Sequence, residues 1–74
     1  MSDKPVHSIA RVTEVIATSA TSFEDAINCA IERATRTLRG VKGAWVKEMK
    51  LDITDGRVST YSVDLLITFV MDEE

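Results

Sequence analysis

The final segment of the chain alternates between apolar and polar positions. Every odd position from residue 61 to residue 71 is apolar, and three of the even positions are polar. A period of two is the pattern of a β-strand that buries one of its faces. Residues 61–71 are therefore predicted to form a long strand, with Tyr61, Val63, Leu65, Ile67, Phe69 and Met71 on one face and Ser62, Asp64 and Thr68 on the other.

A helical period lies upstream, between the polar residues 18–22 and Gly40. Its apolar side chains recur every three to four positions, which is the spacing of one helix face. Thr21 or Ser22 stands where an N-cap is expected, with an acidic residue three positions later in capping-box spacing. Gly40 is a natural residue just beyond a helix C-terminus. We expect a helix that ends near Arg39, with an apolar stripe of Phe23, Ile27, Ala30, Ile31, Ala34 and Leu38.

Two further strands complete the predicted fold. Residues 6–17 are rich in valine, isoleucine and threonine, which favour strands, and residues 44–53 precede an Asp55-Gly56 pair. Such a pair is typical of a tight hairpin turn, because both residues accept positive φ angles. The order predicts an α+β fold of β-α-β-β form, a three-stranded antiparallel sheet packed on one α-helix. We expect residues 1–74 to form a single domain in which the first strand pairs with the last.

A chain of 74 residues buries a modest share of its surface, so its fold needs additional support. Cys29 is the only cysteine and His7 the only histidine, which excludes an intrachain disulfide and argues against a closed zinc site. Association with copies of itself is therefore the expected source of stability. Leu66 and Val70 favour the same conclusion, because one helix covers only one face of a sheet and these residues belong to the other.

Charge and motifs narrow the classes of function. A net charge of −3 gives no basic surface for nucleic acid, and no apolar run is long enough for a membrane span or a signal peptide. A lone thiol fits the cytoplasm. The sequence has no phosphate-binding loop, metal-binding helix motif or Cys-His pair, so we expect no catalytic residues and a protein that is not an enzyme.

Three features are candidates for binding chemistry. Trp45, the only tryptophan, is expected on a strand face with Lys47, Met49 and Leu51, either as a core residue or as a platform for an aromatic ligand. The acidic residues form either a solvated strand face or an oxygen-ligand cation site; they are Glu48, Asp52, Asp55 and Asp64. The arginines of the helix form either a solvated face or subunit salt bridges; they are Arg33, Arg36 and Arg39.

Three stretches, taken together and in this order, resemble the dodecins, which are small flavin-binding proteins of strand-helix-strand-strand form. The stretches are RVTEVIATSATSFEDA, AINCAIERATRTLRG and DGRVSTYSVDLLITF, and the resemblance extends from Arg11 to Met71. It implies a hollow homododecamer with flavins (riboflavin, FMN or FAD) stacked on paired tryptophans between subunits. The implied role is storage, buffering and protection from light, because a closely stacked indole quenches the excited flavin.

The resemblance implies cofactor binding by Trp45, Lys50 and Ser62. The family's tryptophan comes five positions after the leucine at the helix end, which is Gly43 here, so Trp45 is displaced by two residues on the same strand face. A bulge near Gly40 and Gly43 would bring the indole back. Ser62 stands where the family has a glutamine for the flavin edge, and Lys50 where many bacterial members have an arginine for the FMN phosphate.

Two other functions remain open at this point. A dodecin-type cage without flavin would act as a calcium-binding or scaffold protein through its acidic strand faces. A monomeric module that binds another protein is the third class, and it would not need the subunit contacts that the apolar strand faces predict.

Overall fold

The computed structural model describes residues 9–71, so the predicted start of the first strand, residues 6–8, lies outside the described part of the chain. The described residues form β1 (Ala10–Ser19), α1 (Phe23–Thr37), β2 (Val41–Thr54) and β3 (Arg57–Val70). The strands form one antiparallel sheet in the order β1-β3-β2, so the alternating strand is central. The predicted α+β fold is confirmed, including the pairing of the first strand with the last.

Both hairpin strands are longer than the sequence predicted. β2 begins at Val41 instead of residue 44, and β3 begins at Arg57 instead of residue 61. Asp55 and Gly56 have φ angles of 53° and 76°, which are the two positive values that a tight hairpin turn requires. Pairing therefore continues to Thr54 and Arg57 on either side of the turn.

Ser19, at the end of β1, organises the start of α1. Ser22 is the N-cap, and its Oγ accepts a 3.0 Å hydrogen bond from the backbone N–H of Asp25. The Ser19 Oγ accepts from the backbone N–H groups of Thr21 (2.9 Å) and Ser22 (3.3 Å) and donates to the Asp25 carboxylate at 2.7 Å. In a capping box an acidic side chain bonds the N-cap amide directly. Here the Oγ of the buried Ser19 accepts the hydrogen bond from the N-cap amide, and the hydrogen bond to Asp25 holds the Ser19 side chain in place.

A narrow seam of alanines joins α1 to the sheet. The buried helix residues are Ala26, Ala30 and Ala34, and they pack with the buried β3 residues Val63, Leu65 and Ile67. Each fully buried aliphatic side chain contributes about 1.5–3 kcal/mol to stability. The sequence predicted Ile27 and Ile31 on the buried stripe of the helix, but both lie half-buried at the sides of the seam. The prediction omitted Ala26, which is 0% exposed. Small side chains form the centre because they let the helix approach a strand of large ones.

The helix leaves β2 uncovered. Val46, Met49 and Leu51 lie opposite Leu65, Val63 and Tyr61 of β3, and therefore on the sheet face that carries α1. All three are nevertheless exposed, because α1 lies over β1 and β3. The opposite sheet face, called the outer face below, also exposes the large apolar residues Val12, Ile16 and Trp45. Both faces of one copy therefore carry apolar surface that water would otherwise solvate.

Gly40 joins the end of the helix to the end of β3. The helix ends at Thr37 instead of the predicted Arg39, and Gly40 follows with a φ of 71°. Its carbonyl accepts a 3.0 Å hydrogen bond from the amide of Val70, and a Cβ on it would lie 2.9 Å from the carbonyl oxygen of Val70. Only glycine fits both the backbone angle and the close approach.

We expect Gly40→Ala to lower the free energy of unfolding by at least about 1 kcal/mol, because alanine meets both a positive φ and a backbone clash. Gly43→Ala is the matched control, since its added Cβ would lie at an ordinary 3.5 Å from Thr68 Oγ1. Urea unfolding measures both variants. Equal stability of the two variants would contradict the role given to Gly40.

Candidate functional site

A β-bulge at Lys47 decides which side chains of β2 face outward. Trp45 lies opposite Leu66 and Glu48 lies opposite Asp64, so the four β2 residues 45–48 lie opposite the three β3 residues 64–66. The extra residue reverses the alternation, and Trp45 shares the outer face with even-numbered residues after the bulge. The prediction that Trp45 shares a face with Lys47, Met49 and Leu51 is therefore wrong for the last two, which face the helix side.

Three rows of side chains cross the outer face, each with one residue from β1, β3 and β2 in that order. The Trp45 row is Glu14, Leu66 and Trp45; the carboxyl row is Ile16, Asp64 and Glu48; the hydroxyl row is Thr18, Ser62 and Lys50. Rows on one face of a strand are about 7 Å apart. Trp45 and Lys50 are thus on one face, separated by about 14 Å along the strands.

Trp45 lies outside the helix–sheet core and is 54% exposed. A second bulge falls between Val41 and Gly43, as the sequence allowed, and Gly43 lies opposite Thr68. Gly43 and Trp45 therefore both face outward, in neighbouring rows. Trp45 therefore lies one row along from Gly43 on the same face, with the bulge at Val41–Gly43 before both of them.

Lys50 and Ser62 lie opposite each other on neighbouring strands. They line a groove of about 170 Å³ together with Ile16, Glu48, Val63 and Asp64. The structure thus brings together two of the three residues expected to bind a cofactor, and leaves Trp45 two rows away. The Lys50 Nζ lies 3.7 Å from Asp52 Oδ1, so its charge already has a carboxylate partner.

Glu14, Asp64 and Lys47 form a charged cluster between the groove and Trp45. Lys47 Nζ donates a 3.2 Å hydrogen bond to Glu14 Oε2. A hydrogen bond to Glu14, together with burial and repulsion, raises the pKa of Asp64 above its usual 3.8. Hydrogen bonds from Asp64 and Lys47 lower the pKa of Glu14 below its usual 4.5. The two carboxyls are therefore coupled, so that the charge on Glu14 opposes ionisation of Asp64 and Asp64 takes up a proton before Glu14 as the pH falls.

The burial of one Asp64 oxygen agrees with the raised pKa of this carboxyl. Its Oδ1 is buried and has no hydrogen-bond partner within residues 9–71. A buried ionised oxygen without a donor is costly, and protonation removes that cost. Glu14 in turn raises the pKa of Lys47 through their hydrogen bond and charge attraction. Sequence reasoning did not single out Glu14, because only the register with β3 shows that the residue reaches Asp64.

The acidic residues of the predicted cation site are only partly assembled. Asp64 pairs with Glu48 across the strands, Asp52 follows near Lys50, and Asp55 lies in the hairpin turn. Within residues 9–71 there is no group of three or more His, Cys, Asp or Glu residues arranged to hold a metal ion. Glu14 and Asp64 of one copy instead form a pair of coupled carboxyls beside Lys47. No helix among the described residues is long and apolar enough to cross a membrane.

A larger groove of about 410 Å³ lies between β1 and α1, away from the predicted site residues. Apolar side chains such as Val15, Ala17 and Leu38 line it, with Arg33 among the polar ones. It follows the strand edge of β1 that no strand covers within the described sheet. Its position beside an unpaired edge suits a contact with another chain better than a cofactor.

Comparison with known proteins gives a consistent result. The Dodecin family model matches residues 9–72. An arginine-to-alanine variant of the Thermus thermophilus dodecin is 33% identical, with a TM-score of 0.83 over 90% of this chain and 100% of that chain. The Streptomyces coelicolor dodecin is 34% identical, with a TM-score of 0.82 over 90% of this chain and 96% of that chain.

A third solved structure is a calcium-chelating immunodominant antigen of Mycobacterium tuberculosis, called calcium dodecin, with a novel calcium-binding site. It is 31% identical, with a TM-score of 0.74 over 90% of this chain and 96% of that chain. No curated relative matches the chain with significance. The similar structures therefore include one whose ligand is a cation.

The carboxyl pair predicts opposite pH effects for two substitutions. Because the pKa of Asp64 is raised in the folded protein, the free energy of unfolding decreases as the pH rises through that pKa. Below the usual pKa of 3.8 this decrease is absent. Asp64→Asn, which mimics the protonated acid, should therefore raise the thermal midpoint at pH 7 and leave it unchanged near pH 3. The lowered pKa of Glu14 has the opposite sign, so Glu14→Gln should lower the midpoint at pH 7.

Thermal unfolding at both pH values measures these effects. Asp55→Asn removes a carboxylate in the exposed turn and serves as the control for loss of charge alone. A midpoint for Asp64→Asn that shows no pH dependence relative to the wild type would contradict the raised pKa of Asp64.

Proposed function

This chain belongs to the dodecin family, and from that premise we propose that it is a homo-oligomeric flavin-binding protein. The flavin ring stacks on Trp45 where the outer faces of two copies meet. The observation that carries this proposal is the exposed indole, set on a rigid strand beside hydrogen-bonding side chains.

The proposed assembly is the hollow homododecamer of the family. Two properties of one copy support it: apolar side chains are exposed on both sheet faces, and the described parts of β1 and β2 each pair on one side only. Exposed strand edges and apolar surface favour further association, and a closed assembly removes both from water. The predicted contact through the far face is consistent with Val12 and Ile16, which is 70% exposed.

Stacking on Trp45 is proposed because an indole offers a large, flat and electron-rich surface to a planar ring. The rigid strand fixes the orientation of that surface, so little conformational entropy is lost on binding. A second copy related by a twofold axis would present its own Trp45, and a flavin between them would be covered on both sides. Leu66 borders the indole and extends the apolar platform.

The groove beside the platform would receive the polar parts of the flavin. Ser62 offers a hydroxyl that both donates and accepts, although it reaches less far than the glutamine expected by resemblance. Lys50 offers donors on a flexible stem and lies directly opposite Ser62. Trp45, Ser62 and Lys50 are thus proposed as the flavin-binding residues of each copy.

The proposed role is storage and buffering of flavin together with protection from light. An indole in contact with the excited ring quenches it, and enclosure between subunits limits exchange with solvent. No residue of the site is assigned a catalytic step, so the proposed function is binding without turnover.

A cage that binds calcium instead of flavin is the second candidate. The observation that favours it is the set of carboxyls on the outer face, together with the calcium-chelating relative. One copy holds no metal cluster within its described residues, so such a site would have to combine carboxylates from two copies. The two candidates differ in their ligand, which makes them separable in one experiment.

Titration of riboflavin, FMN and FAD with the protein, followed by flavin fluorescence, tests the proposal. We expect quenching with the wild type, and binding about ten-fold weaker with little quenching in Trp45→Ala, because a stacked aromatic pair and its buried area are lost. Trp45→Phe is the matched control, which retains a smaller platform and should bind between the two.

The mass in solution and a calcium arm complete the test. Light scattering should give about twelve times the 8.2 kDa chain mass, and a particle of one chain mass would contradict the assembly. Absence of quenching by any flavin, with a rise of the thermal midpoint on adding calcium chloride, would replace the flavin proposal by the calcium one.

A further inference from the structure

The charges around the flavin platform are predominantly negative. Between Trp45 and Lys50 the outer face carries the carboxyls of Glu14, Asp64 and Glu48. Both lysines nearby are engaged: Lys47 donates to Glu14 at 3.2 Å, and Lys50 lies 3.7 Å from Asp52, as given above. Within residues 9–71, neither Glu48 nor Asp64 forms an ion pair with a lysine or arginine. The outer face around the groove therefore carries more carboxyls than lysines, and its net charge is negative.

The direction in which a flavin side chain leaves Trp45 follows from the polarity of the neighbouring rows. On one side of the Trp45 row stand Val12, Thr68 and Gly43, where the Thr68 hydroxyl already donates to the Gly43 carbonyl at 3.1 Å. On the other side lies the groove with Asp64, Glu48 and Ser62. A polyol chain needs hydrogen-bond partners when it is enclosed, and only the groove side supplies several.

Carboxylates distinguish a flavin side chain that ends in a hydroxyl group from one that ends in a phosphate. Hydroxyl groups of a polyol donate hydrogen bonds, and ionised or half-protonated carboxyls accept them well. A terminal phosphate carries between one and two negative charges near neutral pH and is repelled by the same carboxyls. In a site formed by two copies around a twofold axis each carboxyl is present twice, which strengthens both effects.

We infer that the Trp45 site selects the phosphate-free flavin, a ring with a neutral polyol chain, over its phosphorylated forms, and that Glu48 and Asp64 set this preference. The inference rests on the proposed flavin function and narrows its ligand to riboflavin. The charge of Lys50, which by resemblance meets the FMN phosphate, is offset here by Asp52 at 3.7 Å. Glu48 is a specificity-determining residue because it lacks a described ion-pair partner and lies in the groove.

Parallel titrations of the assembled protein with riboflavin and FMN test this inference by flavin fluorescence. At low salt, riboflavin should bind about ten-fold more tightly than FMN, because one repelled phosphate at this range has an effect of that order. Raising the salt concentration should reduce the ratio, since the repulsion is screened while stacking is not. Glu48→Gln should tighten FMN binding about three- to ten-fold and change riboflavin binding less than about two-fold.

Glu32→Gln is the matched control. It makes the same change in net charge on the exposed face of α1, where Glu32 pairs with Arg36 at 3.2 Å, and it should leave the riboflavin-to-FMN ratio unchanged. An equal shift of the ratio in both variants would assign the preference to overall charge and overturn the role of Glu48.

The outcomes separate this inference from the proposed function. FMN binding as tight as riboflavin binding, or tighter, would overturn the selectivity and leave flavin binding intact, because a second copy would then supply a cation. If the protein quenches the fluorescence of neither riboflavin nor FMN, the proposed function is overturned, and the selectivity is overturned with it. Quenching by riboflavin with a ratio that collapses in Glu48→Gln supports both.

Discussion

The contact between the alanines of α1 and the aliphatic residues of β3 sets the plan of this molecule. Ala26, Ala30 and Ala34 have too little volume to spread the helix over the whole sheet, so α1 lies close to the central strand and to β1. β2 is left with apolar side chains on the covered face and no cover. One copy therefore cannot hide its own hydrophobic surface, and association is built into the packing of a single chain. A larger residue in the seam would lift the helix from the sheet.

The proton affinities of the carboxyls on the outer face depend on neighbouring charged side chains more than on burial. Asp64 and Glu14 differ in proton affinity because they lie close together on adjacent strands, while Lys47 stabilises the charge on Glu14. This arrangement places hydrogen-bond donors and acceptors within one row spacing of the indole.

Much of the fold follows from local rules that the sequence displays. The alternation from Tyr61 onward, the Ser22 cap and the Asp55-Gly56 turn each depend on residues adjacent in sequence, and the structure confirms all three. The site was harder to predict because it depends on register across strands. A bulge leaves no compositional mark, so the face of Met49 was wrongly predicted, and the contact of Glu14 with Asp64 joins residues fifty positions apart.

The bulge at Lys47 also affects how the outer face can change when β2 loses or gains a residue in evolution. Loss of Lys47 itself would restore simple alternation and leave Glu48 opposite Asp64 and Met49 opposite Val63, so both residues would keep their faces. Insertions and deletions are usually tolerated in loops and harmful in strands, where a shift of one residue turns each side chain to the other face. At this bulge the strand can lose one residue and keep its outer surface, without altering the helix or the turn.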